Sequence, residues 1–523
     1  MRLLFAIFAV SIVFSTALEA KPMKYRVWQL QDYNMDHIKR MIDMAAEQHV
    51  NRIQISHHIV MSAEQILDNP KRVEDFNQIC KWAHEKNIKV DFWTHELDGV
   101  PDDLMVDGKV NLDDDRIWDF VREKYKKVFE LCPELDGVVL TMHETGFKIF
   151  DDSQVSSSEP ANVRITKLID HMGEVMQELG KDYFVRTFVY EPWQLEYMEK
   201  GIKDAESNFV VMSKEVPHDW QPFYPNNPVI GNVGDREQIV EWDLGHEFTG
   251  LSTIPYINID YFKKRFDYGI EKGTVGLVFR IERHKWRAVD TPNQMLIDLF
   301  TKLMLVPTLD PHKQYMYMLE DRYGKEAAPY LYSAFLRTGD IIKKGMYVLG
   351  YWITDHSILP SYNYASATLV RRSTAKWDPS TKEIGDELLN PTIQTIIKIQ
   401  NEKDEAIAAA EMSIADVKAA REYLSKEDHD YLLEIFERSK AMAVVWKSFM
   451  EVFFGMSVYK STGSKFDRSF LETAANRLEI LFNQNKEHLI KLAADYDNPN
   501  RTSNIDNAMQ YVNLAREALK ESK

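Results

Sequence analysis

The chain has 523 residues, a formal net charge of −17 and two cysteines. That length holds a barrel of roughly 250 residues and a further domain, and the negative charge argues against nucleic acid or an anionic membrane surface as a partner. Cys80 and Cys132 each fall in an apparent amphipathic helix, so no disulfide framework is in use and both read as core residues.

Residues 1–20 open with one Arg, run through LLFAIFAVSIVF and end in small residues. This is the layout of a secretory signal peptide, with Ala17 or Ala20 as the cleavage point, and the protein is expected to be exported to the periplasm or beyond the cell. No later stretch reads as long and apolar enough to span a bilayer, so no membrane insertion is expected once the signal is removed.

From residue 24 onward, short apolar runs alternate with helical patterns, as in repeated βα units. The runs are YRVWQL, RIQIS, IKVDFWTHE, DGVVLTMHETG, YFVRTFVYEP, NFVVMSKE, IVEWDLGHE and TVGLVFRIER. Eight such strands close a (β/α)8 barrel, expected over residues 21–289. After residue 290 the texture turns helical, and residues 290–523 are expected to form an all-helical C-terminal domain, with 376–392 as a polar connection and a surface able to support a homodimer. No fixed-period repeat or glycine-rich phosphate loop is evident, and no cofactor is expected.

In a barrel of this kind the loops after the strands form the reactive face. Glu144 ends the fourth run, Asp219 follows the sixth and Glu247 follows the seventh. Carboxylates from different strands are the inventory for glycosidic cleavage, one protonating the leaving oxygen and another activating water or attacking the sugar. Arg186, Lys214 and Arg280 come from the fifth, sixth and eighth runs, where cations can hold a substrate carboxylate or else form internal salt bridges. If they are not internal partners, removing Arg186 or Lys214 should leave thermal stability nearly intact.

These residues carry a resemblance. Arg186 to Tyr190, then Lys214 with Asp219-Trp220-Gln221-Pro222, then His246-Glu247-Phe248-Thr249-Gly250 resemble the core of the alpha-glucuronidases of glycoside hydrolase family 67. Gly137 to Gly146 resembles the family strand that delivers the general acid, which the resemblance puts at Glu144. It implies an inverting, exo-acting enzyme that releases a uronic acid from plant or algal oligosaccharides. Asp219 and Glu247 would be the base apparatus, and Arg186 and Lys214 the carboxylate pocket; Arg280, from the eighth run and outside the matched segment, is a candidate third member. Tyr190 and Trp220 belong to the same matched segment and are expected to line the substrate site. The sequence departs from the family in three places: the family's β-rich domain ahead of the barrel is not expected here, Thr-Met-His precedes the acid, and His57 and His58 stand where the family shows asparagines. His57, His58 and His143 are expected to hold sugar hydroxyls or tune Glu144.

Two other readings compete. His57, His58, His95 and His143 could ligate zinc in a metal-dependent barrel hydrolase, although the first strand supplies no His-x-His pair. Alternatively Trp28, Trp93, Trp193, Trp220 and Tyr190 could be stacking platforms of a non-catalytic oligosaccharide binder, which has no need of opposed carboxylates.

Overall fold

The computed structural model describes residues 21–493 and 505–521; the candidate signal peptide lies outside them. Eight parallel strands close a barrel: β1 (Tyr25–Leu30), β2 (Arg52–Ile55), β3 (Lys89–His95), β4 (Gly137–Thr141), β5 (Asp182–Arg186), β6 (Val210–Lys214), β7 (Gln238–Asp243) and β8 (Gly276–Arg280). These are the eight apolar runs of the sequence. Nearly every strand residue is buried, because helices cover the outside and side chains fill the inside. Closure pairs β1 with β8, Tyr25 opposite Gly276 and Gln29 opposite Arg280.

Helices α1 (Met35–Glu47), α2 (Pro70–His84), α3 (Arg116–Leu131), α4 (Ala161–Leu179), α5 (Pro192–Asp204) and α6 (Ile259–Glu271) follow strands β1, β2, β3, β4, β5 and β7. Their starts are written in the sequence: Asn34, Asn69 and Asn258 each accept a backbone N–H of the first turn, and Pro70 and Pro192 occupy first-turn positions where a missing N–H costs nothing. α7 (Gln294–Leu305) takes the place of the eighth barrel helix, with Thr301 Oγ1 accepting from Trp28 Nε1 at 3.4 Å and Met304 O accepting from Met23 N at 2.8 Å. Barrel packing therefore runs past residue 289, where the sequence texture changes.

The strict βα alternation breaks once. Between β6 and β7 no helix forms; residues 215–237 make a long loop instead, largely buried up to Asn227 and partly exposed beyond it. Asn227 organises it, donating from Nδ2 to Lys214 O at 3.0 Å and from its backbone N–H to Glu215 O at 3.0 Å. The loops after β3 and β4 are also elaborated, through a small sheet of Met105–Val106, Lys109–Asn111 and Val155–Ser156 that periodicity does not foresee.

The C-terminal region is helical: α8 (Pro311–Tyr323), α9 (Ala328–Leu336), α10 (Thr338–Met346), α11 (Tyr362–Arg371), α12 (Lys382–Leu389), α13 (Ile393–Ala419), α14 (Lys426–Thr462), α15 (Lys465–Leu492) and α16 (Asn507–Glu521). The expected polar connection contains α12. By length and composition α14 could cross a bilayer, contrary to the sequence reading, but 83% of its most apolar window is buried inside the protein. It is the central core helix, packed against α13, α15 and α16. Between α10 and α11 an extended segment lies on the barrel mouth, where Tyr347 OH donates to Phe248 O at 3.0 Å and Ser357 Oγ to Glu247 O at 2.9 Å.

Candidate active site

The barrel interior is layered. Val27, Trp93, Val139, Phe184, Met212, Ile239 and Val278 form an apolar plug from seven of the strands. Side chains on a strand alternate, so the residues two positions further on point inward again, one layer closer to the mouth. They are Gln29, His95, Thr141, Arg186, Lys214, Glu241 and Arg280, every one polar and buried. An entire layer of buried polar groups must be mutually satisfied or open to a ligand. It forms the floor of the candidate site.

Three clusters rise from that floor. In the first, Arg186 Nε donates to Glu241 Oε2 at 2.7 Å, while its guanidinium lies 4.6 Å from the Trp93 ring centroid and 5.0 Å from that of Phe188. Both partners are withdrawn from solvent, at 3% and 0% exposure, and Arg186 Nη1 has no hydrogen-bond partner.

In the second, Asp219 Oδ1 accepts from Lys214 Nζ at 3.1 Å and Asp219 Oδ2 lies 3.3 Å from Arg372 Nη1. Burial alone would raise the Asp219 pKa, but Lys214 and Arg372 outweigh it and hold the carboxyl well below its usual range. His218 Nδ1 accepts the Asp219 backbone N–H at 2.6 Å, so that nitrogen carries no proton. Burial pushes the His218 pKa down to about 3, and the ring is neutral.

The third surrounds Glu247. Arg280 Nη2 donates to Oε2, Arg283 Nε lies 3.0 Å from Oε1, and His356 Nε2 lies 3.0 Å from the same oxygen. Burial disfavours the charge, yet Arg280, Arg283 and His356 together drive the Glu247 pKa well below its ordinary value. His356 shows the reciprocal effect: burial opposes its charge, but hydrogen bonds to Asp355 and Glu247 raise its pKa to about 9. Asp243 accepts the Glu247 backbone N–H at 2.7 Å, and burial brings its own pKa up to about 6.

Glu144 differs from both other carboxylates. It is exposed, and Tyr190 OH donates to its Oε1 at 3.3 Å. Beneath it, His143 is buried with both ring nitrogens unpartnered, among Tyr190 (ring centroids 4.1 Å apart), Phe150 (4.8 Å) and Phe188 (5.8 Å). Burial takes the His143 pKa down to about 2.

The structure thus brings Glu144, Asp219 and Glu247 to one end of the barrel, with Arg186, Lys214, Arg280 and Tyr190 below or beside them. Two expectations change. All three strand-end cations have internal carboxylate partners, because each projects from the polar floor rather than from the rim. Trp220 is buried and not an open platform; Lys214 lies 3.7 Å and Arg280 4.3 Å from its ring. The histidines do not converge on a metal. His58 stacks on His284 at 3.8 Å and His57 lies 5.9 Å from His284, while His143 sits in the Tyr190 cluster. Among the described residues no group of three or more His, Cys, Asp and Glu is placed to hold a metal ion.

Sequence reasoning missed Glu241, Arg283, Asp355, His356 and Arg372. Glu241 was discoverable, since it lies two residues beyond Ile239 on an inward-facing period of two. Asp355, His356 and Arg372 have no such signal, because they reach the barrel from a segment more than a hundred residues away from the strands they meet.

No family model and no curated protein matches the sequence. Among solved structures, a GH138 enzyme targeting pectin rhamnogalacturonan II aligns with 96% of this chain and 68% of its own, at 12% identity and a TM-score of 0.63. A mutant of Thermobaculum terrenum O-GlcNAc hydrolase aligns with 94% of each chain, at 10% identity and a TM-score of 0.47. CpGH84B aligns with 95% of this chain and 77% of its own, at 9% identity and a TM-score of 0.43. The likeness to the GH138 enzyme is one of fold: the two chains share a barrel-plus-helices architecture.

Proposed function

We propose that the protein is an exported, exo-acting glycoside hydrolase that removes a terminal uronic acid from plant or algal oligosaccharides with inversion. The observation that carries this reading is the convergence of carboxylates of unlike character at one barrel mouth: Glu144 exposed beside Tyr190, and Asp219 held as an anion by Lys214 and Arg372. Unlike environments for paired carboxyls separate the acid from the base. Glu144 is the acid that protonates the leaving oxygen. Asp219, whose side chain keeps 13% of its surface against 5% for Glu247 and meets two cations where Glu247 meets three, is the better candidate to take a proton from water. Glu247 then anchors the cations around it.

An acid substrate fits the same cleft. Lys214, Arg280, Arg283, Arg372 and charged His356 gather around Asp219 and Glu247, so cations are concentrated at the mouth of an otherwise acidic molecule even though Asp243 and Asp355 pair with two of them. Arg283, Arg372 and His356 keep about a fifth of their side-chain surface and are accessible to a uronate. The resemblance of Arg186 to Gly250 to family 67, and the fold likeness to an enzyme that targets pectin, an acidic polysaccharide, support the same substrate class.

The test is incubation with a panel of uronic-acid-bearing oligosaccharides and with their carboxyl-reduced counterparts. Release of free uronic acid, abolished by Glu144→Gln and Asp219→Asn, with little turnover of the reduced analogues, is the expected result. NMR of the first-formed product should show the inverted anomer. Equal cleavage of reduced and native substrates would make the cations structural and the enzyme a glycosidase of neutral sugars.

A further inference from the structure

Beside the mouth, the loops after β4 and β5 enclose a second groove of about 770 Å³. The first turns of α5 present Trp193, 52% exposed and the only exposed tryptophan among the described residues, and Tyr197, 38% exposed, with ring centroids 5.9 Å apart. Core packing does not account for two large aromatics left open in a concave surface. The β4–α4 loop adds Asp151, Asp152, Ser157 and Ser158. Asp152 is 87% exposed yet held in place by buried Arg164, whose Nη2 donates to it at 2.7 Å and whose Nε has no hydrogen-bond partner.

The groove adjoins the candidate acid through a short chain of side chains. Phe150 lines it and packs on His143, His143 packs on Tyr190, and Tyr190 OH reaches Glu144. Trp193 itself lies three residues beyond Tyr190, in the same loop and helix start.

Building on the hydrolase reading above, we propose that this groove is the leaving-group subsite and takes neutral sugar residues of the oligosaccharide from which the terminal uronic acid is cut. The acid protonates the leaving oxygen, so the leaving sugar must lie on the Glu144 side of the scissile bond. Aromatic faces pack against the apolar faces of pyranose rings, and carboxylates and hydroxyls accept from sugar hydroxyls. Asp151, Asp152 and Glu159 line the groove, Arg164 is paired with Asp152 and Lys167 with Glu159, so no lining cation is left to hold a second uronate there. The two binding regions thus sort by charge: an acid sugar in the barrel mouth, neutral sugars in the groove.

The experiment uses the full chain and the exposed-site variants Trp193→Ala and Tyr197→Ala, whose melting temperatures should match wild type. Calorimetric titration with xylotetraose, galactotetraose and trigalacturonate reads binding. Saturable binding of a neutral tetrasaccharide, weakened about tenfold or more in Trp193→Ala, is expected, with trigalacturonate insensitive to that change. On a uronyl oligosaccharide Trp193→Ala should raise KM about tenfold relative to its effect on a nitrophenyl uronide, which brings no sugar to the groove. Variants that change neither neutral-sugar binding nor that KM ratio, or trigalacturonate binding most tightly in a Trp193-dependent way, would overturn the proposal. Trp193-dependent sugar binding with no turnover of any uronide would instead overturn the hydrolase reading and leave a sugar-binding groove.

Discussion

Arg186 and Glu241 face each other inside the barrel with both side chains withdrawn from water. Truncating one member of such a pair strands the other charge in a poor dielectric, at a cost of about 3–5 kcal/mol. Arg186→Ala is therefore expected to lower thermal stability as well as activity, whereas a cation held only for substrate would leave the melting temperature in place. Scanning calorimetry of the variant decides between them, and an unchanged melting temperature would return Arg186 to the rim.

His356 sets a pH dependence of its own. Its pKa is raised from an unfolded value near 6.5 to about 9, so its stabilising contribution is complete below pH ~6.5 and is lost as pH rises through about 9. The contribution is on the order of 3 kcal/mol. Melting temperature should decline across that window, and His356→Gln should flatten the decline. Asp219 and Glu247 act with the opposite sign: their pKa values are depressed, so their contribution is present above the usual carboxylate range and disappears in acid.

At the scale of elements, the barrel closes at a glycine. Gly276 on β8 pairs with Tyr25 on β1, and a Cβ added there would meet Tyr25 O at 2.3 Å and Tyr25 Cβ at 2.5 Å. Backbone cannot yield as a flexible side chain does, so Gly276→Ala must spread the β1–β8 seam and is expected to destabilise by about 1–3 kcal/mol. Denaturant unfolding would show a lower midpoint; Gly273→Ala, where nothing lies within 4 Å, serves as the comparison for backbone strain alone at its positive φ of 79°. The helix-free β6–β7 loop illustrates a different constraint. Its length is spent on carrying His218, Asp219 and Trp220 into the mouth, and Asn227 supplies the hydrogen bonds that a helix would otherwise make internally.

At the scale of the molecule, one continuous apolar core runs from Met23 on the barrel to Leu519 in α16. Polar contacts cross the same boundary, with Arg438 Nη1 donating to Thr253 O at 2.6 Å and Thr253 Oγ1 to Leu492 O at 3.1 Å. The barrel and the helical region are therefore expected to unfold together, and calorimetry should show one transition whose van't Hoff and calorimetric enthalpies agree. Two separated transitions would mean that the site, which needs His356 and Arg372 beside Asp219 and Glu247, can come apart while the barrel persists.

The eight strands were legible in the sequence because a parallel barrel buries both faces of every strand, leaving short continuous apolar runs with a polar or imidazole residue at the exit. The same rule put Glu144, Asp219 and Glu247 at the strand-exit end of the barrel, which is where they lie. What period and propensity cannot carry is long-range pairing. Whether Arg186, Lys214 and Arg280 face a substrate or a buried carboxylate depends on which strands are neighbours across the interior, and that is settled by closure of the barrel. The approach of His356 and Arg372 to the mouth depends on how the helical region docks, through apolar faces that read alike whichever surface they cover. Local sequence determined the barrel and the end at which its strands deliver polar residues; tertiary packing alone decided the charge partners there, because an ion pair is a property of two distant residues and neither one encodes the other.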